Sequence, residues 1–478
     1  MDLQLINKDL APTSISERTW SKWHIASLWI GMSICIPTYT LASSMVEHGW
    51  SWRASVASIT LGNLIVLIPM LLNAHAGTRY GIPFPVLLRS SFGVFGANIP
   101  ALMRAFVACG WFGIQTWIGG SAIYNILISL LGNNIISHKT LPFLEINPFE
   151  LLCFLSFWIL QIIIIIHGIN SIKILESLAA PFLIAMGGIL FIWAWRSVGS
   201  LNTIISDSTP PTRSFSSALL GAGLTSGVAF WGTLALNIPD FARYAKSQKD
   251  QILGQSIGLV PTMTAFAFVG AIVTNATVFI FGSRISDPII ILSKINNPIV
   301  AILAMIAIII ATLTTNLAAN IVSPANDFSN INPQKISFKK GALIASIIGV
   351  IIMPWKLYNN SSYYLFTWLM GYGSMLGSIA GIMISDYFLI KKCKLCIKDL
   401  YLKKGSYSYI FGFNPIAILA LIIGILPNIP GFLNALEFIN TNIFFKFIYQ
   451  RAWFVSFFLS GMCYFIFTNL FKKFAKTK

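Results

Sequence analysis

Residues 27–45 read SLWIGMSICIPTYTLASSM, and residues 224–241 read LTSGVAFWGTLALNIPDF. Each stretch is apolar and long enough to cross a membrane, yet each has helix-breaking residues near its middle. In the first, Pro37 removes a helical hydrogen bond and clashes with the preceding turn. In the second, Gly227 and Gly232 flank the centre. Taken alone, either stretch is more simply interpreted as a kinked helix.

The composition of the whole chain is that of a membrane protein. Its 478 residues are 56 % hydrophobic and only 10 % charged, whereas soluble domains have about 25 % charged residues. We therefore predict an all-α polytopic membrane protein. Its twelve predicted spans lie within 24–45, 53–73, 98–128, 150–167, 174–195, 218–237, 257–282, 297–322, 341–354, 363–385, 412–427 and 452–470.

The two interrupted stretches are the first and the sixth of these spans. Interrupted helices at matching positions of two halves indicate a transporter built from an inverted repeat. This changes the interpretation of the kinks and predicts a five-plus-five repeat followed by two further helices. The predicted parts are a tail over 1–23, a first repeat over 24–195, a second repeat over 218–385 and helices 11 and 12 over 412–470.

The charges predict the orientation. Most of the 32 lysines and arginines fall in the segments that lie on the same side as the two termini, and the positive-inside rule makes that side cytoplasmic. We interpret the basic residues behind the net charge of +17 as groups that orient the chain in the membrane and contact anionic lipids, and not as a nucleic-acid-binding surface. The Ile-, Asn- and Lys-rich composition suggests an AT-rich bacterial genome, and we therefore expect the protein in a bacterial inner (plasma) membrane.

The third span contains ACGWFGIQTWIGG, residues 108–120. Trp111 and Gln115 are four residues apart and share one helix face, whereas Trp117 points elsewhere. The glycines allow a neighbouring helix or a ligand to approach closely. Either Trp111 and Gln115 line a binding site, or Gln115 bonds to another helix and the tryptophans form an interfacial belt.

The eighth span contains ATLTTNLAANIVSPANDF, residues 311–328. Hydroxyls such as those of Thr314 and Thr315 often bond back to their own helix. Asn316 and Asn320 are harder to dismiss, because an unpaired buried amide costs about 1–3 kcal/mol.

Acidic groups are absent from the predicted mid-membrane positions. All carboxylates are expected in tails, loops or span ends, which argues against a carboxylate proton relay. No constellation of catalytic residues suggests an enzyme, and the single CxxC pair, Cys393 and Cys396, lacks the second pair of a zinc site. The remaining buried chemistry is neutral. It suits a flat, uncharged ligand that stacks on indoles and hydrogen-bonds to amides.

Several stretches resemble the nucleobase:cation symporter-1 family, and especially its bacterial hydantoin-permease branch. They extend from the amino terminus to about residue 335 and comprise NKDLAPTSISERTW, CIPTYTLASS, GNLIVLIPMLLNAHAGTRYGIPFPVLLRSSFG, ACGWFGIQTWIGG, FWGTLALNIPDFARYAKSQKDQ and TLTTNLAANIVSPANDFSNINP. The resemblance implies a leucine-transporter-like fold. It also implies a substrate site between spans one, three, six and eight.

The resemblance also implies roles for individual residues. Trp111 and Trp231 would sandwich a substrate ring, and Gln115 and Asn320 would hydrogen-bond its edge. Two further residues would border the ring at the break in span six, namely Phe230 and Gly232.

A sodium ion would lie between spans one and eight. Its ligands would be the carbonyls of Ser33, Ile36 and Ala311 and the hydroxyls of Thr314 and Thr315. The adjacent threonines and the lack of a mid-membrane acid favour sodium over protons.

We therefore expect a monomeric symporter that imports a nucleobase or related heterocycle with sodium and has no other cofactor. Pro37 stands where the hydantoin transporter has a glutamine, so purines, pyrimidines and allantoin remain open as substrates. The alternatives are a symporter of the same fold for an amino acid, a channel, and a non-transporting receptor.

Overall fold

The computed structural model describes residues 5–132, 140–166, 169–207, 210–294, 298–358 and 363–476. The protein is all-helical over these residues. Its α-helices are α1 (Lys22–Ser33), α2 (Ile36–Glu47), α3 (Trp52–Tyr80), α4 (Phe84–Phe92), α5 (Asn98–Leu131), α6 (Pro148–Ile166), α7 (Ile169–Val198), α8 (Leu201–Ile205), α9 (Phe215–Leu220), α10 (Ala222–Phe230), α11 (Gly232–Asn237), α12 (Pro239–Ala242), α13 (Gln248–Phe281), α14 (Pro288–Ser293), α15 (Pro298–Asn320), α16 (Val322–Ile331), α17 (Phe338–Ile351), α18 (Pro354–Tyr358), α19 (Met370–Ile384), α20 (Pro415–Ile425), α21 (Ile429–Ala435), α22 (Ile443–Tyr449) and α23 (Ala452–Lys476). Two π-helical segments, Tyr363–Leu369 and Ser385–Ile390, extend α19 at both ends.

Helices occupy all twelve predicted positions. By length and composition, nine helical segments within the described ranges could each cross a membrane, and the bent pair α1–α2 makes a tenth. The sixth predicted span is divided into α10 and α11, and the ninth, α17, has 14 residues. These two spans are therefore short or broken helices, not missing ones.

The first predicted break is present. Helices α1 and α2 meet at an angle of 51°. Ile34 leaves the helical region with ψ 80°, and Cys35 is extended. Pro37 lies in the first turn of α2, where its missing N–H leaves no helical bond unmade. The proline therefore starts a new helix after the break and does not kink a continuous one.

The second predicted break lies at Trp231. This residue has φ −98° and ψ 12° and separates α10 from α11. Gly227 packs against Gly62 of α3, where a Cβ atom on Gly62 would lie 2.9 Å from the Gly227 carbonyl carbon. The glycine therefore lets the broken span lie close to α3.

A third break, which was not predicted, lies in span eight. Ile321, with φ −115°, separates α15 from α16. Pro324 follows four residues after Asn320 and has no N–H to donate to the Asn320 carbonyl. Asn320 is consequently the last residue of α15 and lies at a helix end.

The glycines of the third span provide clearance between helices, as predicted. A Cβ atom on Gly120 would lie 2.6 Å from the Phe154 Cα atom of α6, and one on Gly113 would overlap the Gly349 carbonyl of α17. Trp117 packs against Phe154 at 6.4 Å between ring centroids and so faces away from Trp111, as expected.

The outer surface of the bundle is apolar. On α6, for example, the side chains of Leu152, Ile159 and Ile163 are more than half exposed. An aliphatic face of this kind is stable against lipid and unfavourable in water.

Candidate functional site

A small cavity lies where the breaks in spans one, six and eight meet α5. Its volume is about 20 Å³, roughly the space that one water molecule needs. A heterocycle therefore requires the surrounding helices or side chains to move. The described residues that line it, none of them charged, are Met32, Cys35, Pro37, Trp111, Gln115, Phe230, Trp231, Thr233, Leu234, Thr315, Ala319 and Asn320.

The structure thus brings together five of the six predicted substrate residues. Gly232 is the exception and is not among the residues that line the cavity. Its Cα faces Leu376 and Tyr372 of α19, and a Cβ atom there would lie 3.6 Å from the Leu376 side chain. Gly232 therefore borders α19 and not the cavity, while Phe230 lines the cavity as expected.

The aromatic rings of the site meet edge to face. Phe230 contacts Trp111 at 5.5 Å and Trp231 at 4.9 Å between ring centroids. Trp231 also contacts Trp29, with 5.1 Å between ring centroids and an interplanar angle of 82°. The Trp231 indole also donates to the Met263 sulfur at 2.7 Å. These contacts hold the indole of Trp231 in one orientation.

The two amides of the cavity differ in their partners. Asn320 donates from Nδ2 to Oδ1 of Asn316 at 2.9 Å. The Gln115 side chain is 2 % exposed, and among the described residues its Oε1 has no hydrogen-bond partner. A buried amide oxygen without a donor is unfavourable, so a ligand that supplies an N–H at this position would relieve that cost.

All five predicted cation ligands lie around the contact between span one and span eight. Ser33 ends α1 and Ile36 begins α2. Ala311, Thr314 and Thr315 lie on α15, which packs against both helices.

The oxygens in this region are neutral. Thr314 donates to the Ala311 carbonyl at 2.9 Å, and Thr315 donates to the Gly31 carbonyl at 2.9 Å across the two spans. The buried hydroxyl of Ser33 has no hydrogen-bond partner within the described ranges. A hydroxyl that donates its proton still has lone pairs for a hard cation, so this donor set fits sodium.

A larger apolar cavity of about 80 Å³ lies between α2, α7 and α15. Ile36 and Ala311 border it, and its lining is almost entirely aliphatic and aromatic. It offers few groups that could orient a heterocycle, so the smaller polar cavity is the better candidate site.

Two acidic side chains that the sequence places at span ends, Asp327 and Asp240, are buried inside the helix bundle. Asp327 and Arg104 form an ion pair at 3.6 Å with both side chains fully buried, and Arg104 donates to the Ala319 carbonyl beside Asn320 at 3.3 Å. Asp240 is also fully buried. Asp327 lies in the last turns of α16, which ends at Ile331, so it is near the end of the span and is buried by the neighbouring helices.

Several site residues were not predicted as such. Trp29 and Met263 contact Trp231 only because α1 and α13 converge on the break. Pro37 was interpreted as a helix breaker and, from the resemblance, as a position that bears on substrate choice; it lines the cavity. The spacing of residues within one helix gave no signal for these contacts between helices.

Comparisons with known proteins agree with this architecture. The family described as "Permease for cytosine/purines, uracil, thiamine, allantoin" matches residues 12–456. A purine-uracil permease of Arabidopsis thaliana is 46 % identical over 97 % of this chain and 78 % of its own. An allantoin permease of Bacillus subtilis is 39 % identical over 97 % of this chain and 93 % of its own.

A solved structure of MHP1, a nucleobase-cation-symport-1 family transporter with bromovinylhydantoin bound, is similar with a TM-score of 0.78. It is 26 % identical and covers 96 % of this chain and 95 % of that chain. The leucine-transporter-like fold expected from the sequence is thereby confirmed.

The expected placement in the hydantoin-permease branch is not supported. A hydantoin permease of Microbacterium maritypicum is 30 % identical over 90 % of this chain and 82 % of its own, less than the purine-uracil and allantoin permeases. The match over residues 12–456 nevertheless shows the family to which the chain belongs. The protein is a member of the family of membrane permeases for cytosine, purines, uracil, thiamine and allantoin, which are transporters and not enzymes.

Proposed function

We propose that the protein is a secondary active transporter that imports a purine, a pyrimidine or a related planar heterocycle by sodium symport. The observation that carries the proposal is the uncharged cavity between the helix breaks, lined by Trp111, Trp231, Gln115 and Asn320. Indoles supply stacking surfaces for a flat ring, and amides pair with the donors and acceptors on its edge.

The similar proteins narrow the class of ligands to test first. The names of two relatives refer to purine and uracil in one case and to allantoin in the other. Pro37 lines the cavity without offering a side-chain hydrogen bond. We therefore rank purines, uracil and allantoin above hydantoins as substrates.

Sodium coupling is supported by the neutral oxygens between α1, α2 and α15. We propose that the carbonyls of Ser33, Ile36 and Ala311 and the hydroxyls of Thr314 and Thr315 hold the ion. Thr315 belongs to both regions, because it lines the cavity and bonds to the Gly31 carbonyl. Ion binding that orders this contact would raise substrate affinity, and by linkage the substrate would raise ion affinity by the same factor.

We further propose a monomer that resides in the plasma membrane with both termini in the cytoplasm. One helical bundle would rock against the other around the cavity, and each bundle would contain helices from both repeats, 24–195 and 218–385. This arrangement follows the usual alternating-access mechanism of transporters with inverted repeats.

Uptake into proteoliposomes tests the proposal. Labelled uracil, hypoxanthine and allantoin are offered with and without an inward sodium gradient. We expect accumulation of at least one of them that depends on sodium. Accumulation that ignores sodium and is abolished by a proton uncoupler would refute the coupling ion, and no uptake of any heterocycle would refute the transport function.

The charge of the cavity argues against an amino-acid symporter, and the uptake measurement together with a binding measurement separates a transporter from a receptor. An amino-acid symporter needs charged groups for a zwitterion, and the residues that line the cavity carry none. A receptor would bind ligand without accumulation, which a thermal-shift measurement on the purified protein detects separately.

A further inference from the structure

A row of side-chain amides runs from the outer helix α6 to the cavity. Gln161 of α6 and Asn316 of α15 are both fully buried. Asn316 donates from Nδ2 to Gln161 Oε1 at 2.7 Å, and Asn320 donates to Asn316 Oδ1 at 2.9 Å. The Gln161 amide nitrogen donates to the Thr116 hydroxyl of α5 at 3.0 Å. The row therefore connects α6, which does not reach the cavity, to Asn320, which does.

One backbone carbonyl fixes the direction of the whole row. The Phe112 carbonyl oxygen can only accept, and both Thr116 Oγ1 and Asn316 Nδ2 donate to it, at 2.7 Å and 3.1 Å. Asn316 must therefore turn its nitrogen towards α5 and α6 and its oxygen towards Asn320. That oxygen requires a donor, so Asn320 presents its nitrogen to Asn316 and keeps its own oxygen for the cavity.

We propose that Gln161 is a positioning residue that acts through Asn316 to hold the Asn320 oxygen towards the substrate. This inference rests on the function proposed above and refines its substrate class. With the acceptor Asn320 Oδ1 and the unpartnered Gln115 Oε1 on the same cavity, the site selects rings that present unsubstituted N–H groups on the bound edge. Methylation of such a nitrogen removes the donor and blocks the contact.

Removal of the Gln161 oxygen loosens this arrangement. Asn316 Nδ2 loses its shortest contact, the one to Gln161 Oε1 at 2.7 Å, and keeps only the longer contacts to the Phe112 carbonyl at 3.1 Å and the Thr116 hydroxyl at 3.2 Å. The Asn316 amide is then held less firmly, so the Asn320 oxygen is directed to the cavity in a smaller fraction of the molecules. The expected result is weaker binding of N–H ligands together with poorer discrimination against their N-methylated analogues.

A double-mutant cycle tests this relay, that is, the action of Gln161 on Asn320 through Asn316. Gln161→Met, Asn320→Ala and the double variant are reconstituted, and the KM for uracil, hypoxanthine and allantoin is measured in competition with N-methylated analogues of each. We expect Gln161→Met to raise KM about tenfold, as for the loss of one oriented hydrogen bond, with Vmax little changed. It should add nothing in the Asn320→Ala background.

Three further variants separate positioning from folding. Gln161→Glu, neutral at this fully buried position, keeps an oxygen acceptor for Asn316 and an O–H donor for Thr116, and should restore both KM and discrimination. Thr116→Val changes the volume little and removes the hydroxyl that accepts from Gln161 at 3.0 Å and from Asn316 at 3.2 Å, and it leaves Gln161 Nε2 only the Phe157 carbonyl at 3.4 Å. It should act like Gln161→Met, which covers the case in which the methionine variant is not recovered. Ser156→Ala removes an exposed hydroxyl on the same helix whose one hydrogen-bond partner among the described residues is the Leu152 carbonyl; this variant should behave as wild type.

Additive effects of Gln161→Met and Asn320→Ala, or unchanged discrimination in Gln161→Met, would overturn the relay while leaving the transport function intact. Failure of the wild-type protein to bind or take up any of the three heterocycles would instead overturn the proposed function, and the relay with it.

Discussion

Arg104 Nη1 and Asp327 Oδ2 lie 3.6 Å apart in a fully buried ion pair. Asp327 follows Asn320 by two helical turns, and Arg104 donates to the carbonyl of Ala319. The contact lacks hydrogen-bond geometry, since neither carboxylate oxygen of Asp327 has a hydrogen-bond partner in the described part of the chain. A buried pair that lacks such bonds recovers little of its desolvation cost. The pair therefore joins α5 to α16 beside the cavity without stabilising the fold strongly.

This leads to a stability prediction. Asp327→Asn should destabilise the protein by about 3–5 kcal/mol, because it leaves the Arg104 charge buried and unpaired. The double variant Arg104→Met with Asp327→Leu should recover most of that loss. Thermal unfolding in detergent measures both effects.

The exposed pair of Lys356 and Glu145 is the matched control. Its atoms are 3.0 Å apart, with the side chains 40 % and 70 % exposed, and surface pairs are worth about 0–1 kcal/mol. Glu145→Gln should therefore change stability little. If the Asp327→Asn variant were as stable as the Glu145→Gln variant, the assignment of Arg104 and Asp327 as a buried charge pair would be contradicted.

The cavity predicts a binding defect for Trp231→Ala. Stacking of a base on an aromatic side chain is worth about 1–3 kcal/mol, so the dissociation constant should rise about 5- to 150-fold. Asn320→Ala should also weaken binding. Ligand titration of the purified variants measures both changes, and size-exclusion chromatography checks that they are folded.

Trp117→Ala serves as the control for the loss of an indole. Trp117 lies on the same helix as Trp111 but packs against Phe154 and Trp355. Its removal should leave the dissociation constant unchanged. Normal binding by both Trp231→Ala and Asn320→Ala would exclude these residues from the site.

The sequence predicted features that depend on one helix at a time. Pro37 in the first stretch and the glycines Gly227 and Gly232 in the second predicted the two breaks. The four-residue spacing of Trp111 and Gln115 placed both on one helix face, and both line the cavity. Helix geometry alone determines such relationships, so neither required knowledge of the packing.

Features that depend on several helices could not be predicted. Gln161 meets Asn316 only because α6 packs behind α5 and α15. The sequence placed Asp327 near a span end, but it could not show that Asp327 is buried there against Arg104 of α5. Gly232 was assigned to the site by resemblance, whereas the packing of α19 places it on the other side of the break.

The proposed ion site predicts a change in sodium dependence for Thr314→Ala. The substitution removes a hydroxyl oxygen that lies at the contact of α15 with α1 and α2, and a hard cation depends on the number of its oxygen ligands. The sodium concentration for half-maximal uptake should rise, while Thr314→Ser, which keeps the hydroxyl, should remain close to wild type. An unchanged sodium dependence in Thr314→Ala would refute this role.

The glycines of α5 predict a steric effect that is independent of any ligand. A Cβ atom on Gly120 would lie 2.6 Å from the Phe154 Cα atom, and backbone at that distance cannot move aside without shifting a whole helix. Gly120→Ala should therefore lower the unfolding temperature and separate α5 from α6.

Gly188→Ala is the matched control, because a Cβ atom there meets nothing within 4 Å and alanine is the better helix former by about 1 kcal/mol. We expect Gly188→Ala to be neutral or slightly stabilising in the same thermal-unfolding measurement. If Gly120→Ala were equally stable, the close packing of α5 against α6 would be wrong, and with it the route by which Gln161 reaches Asn316.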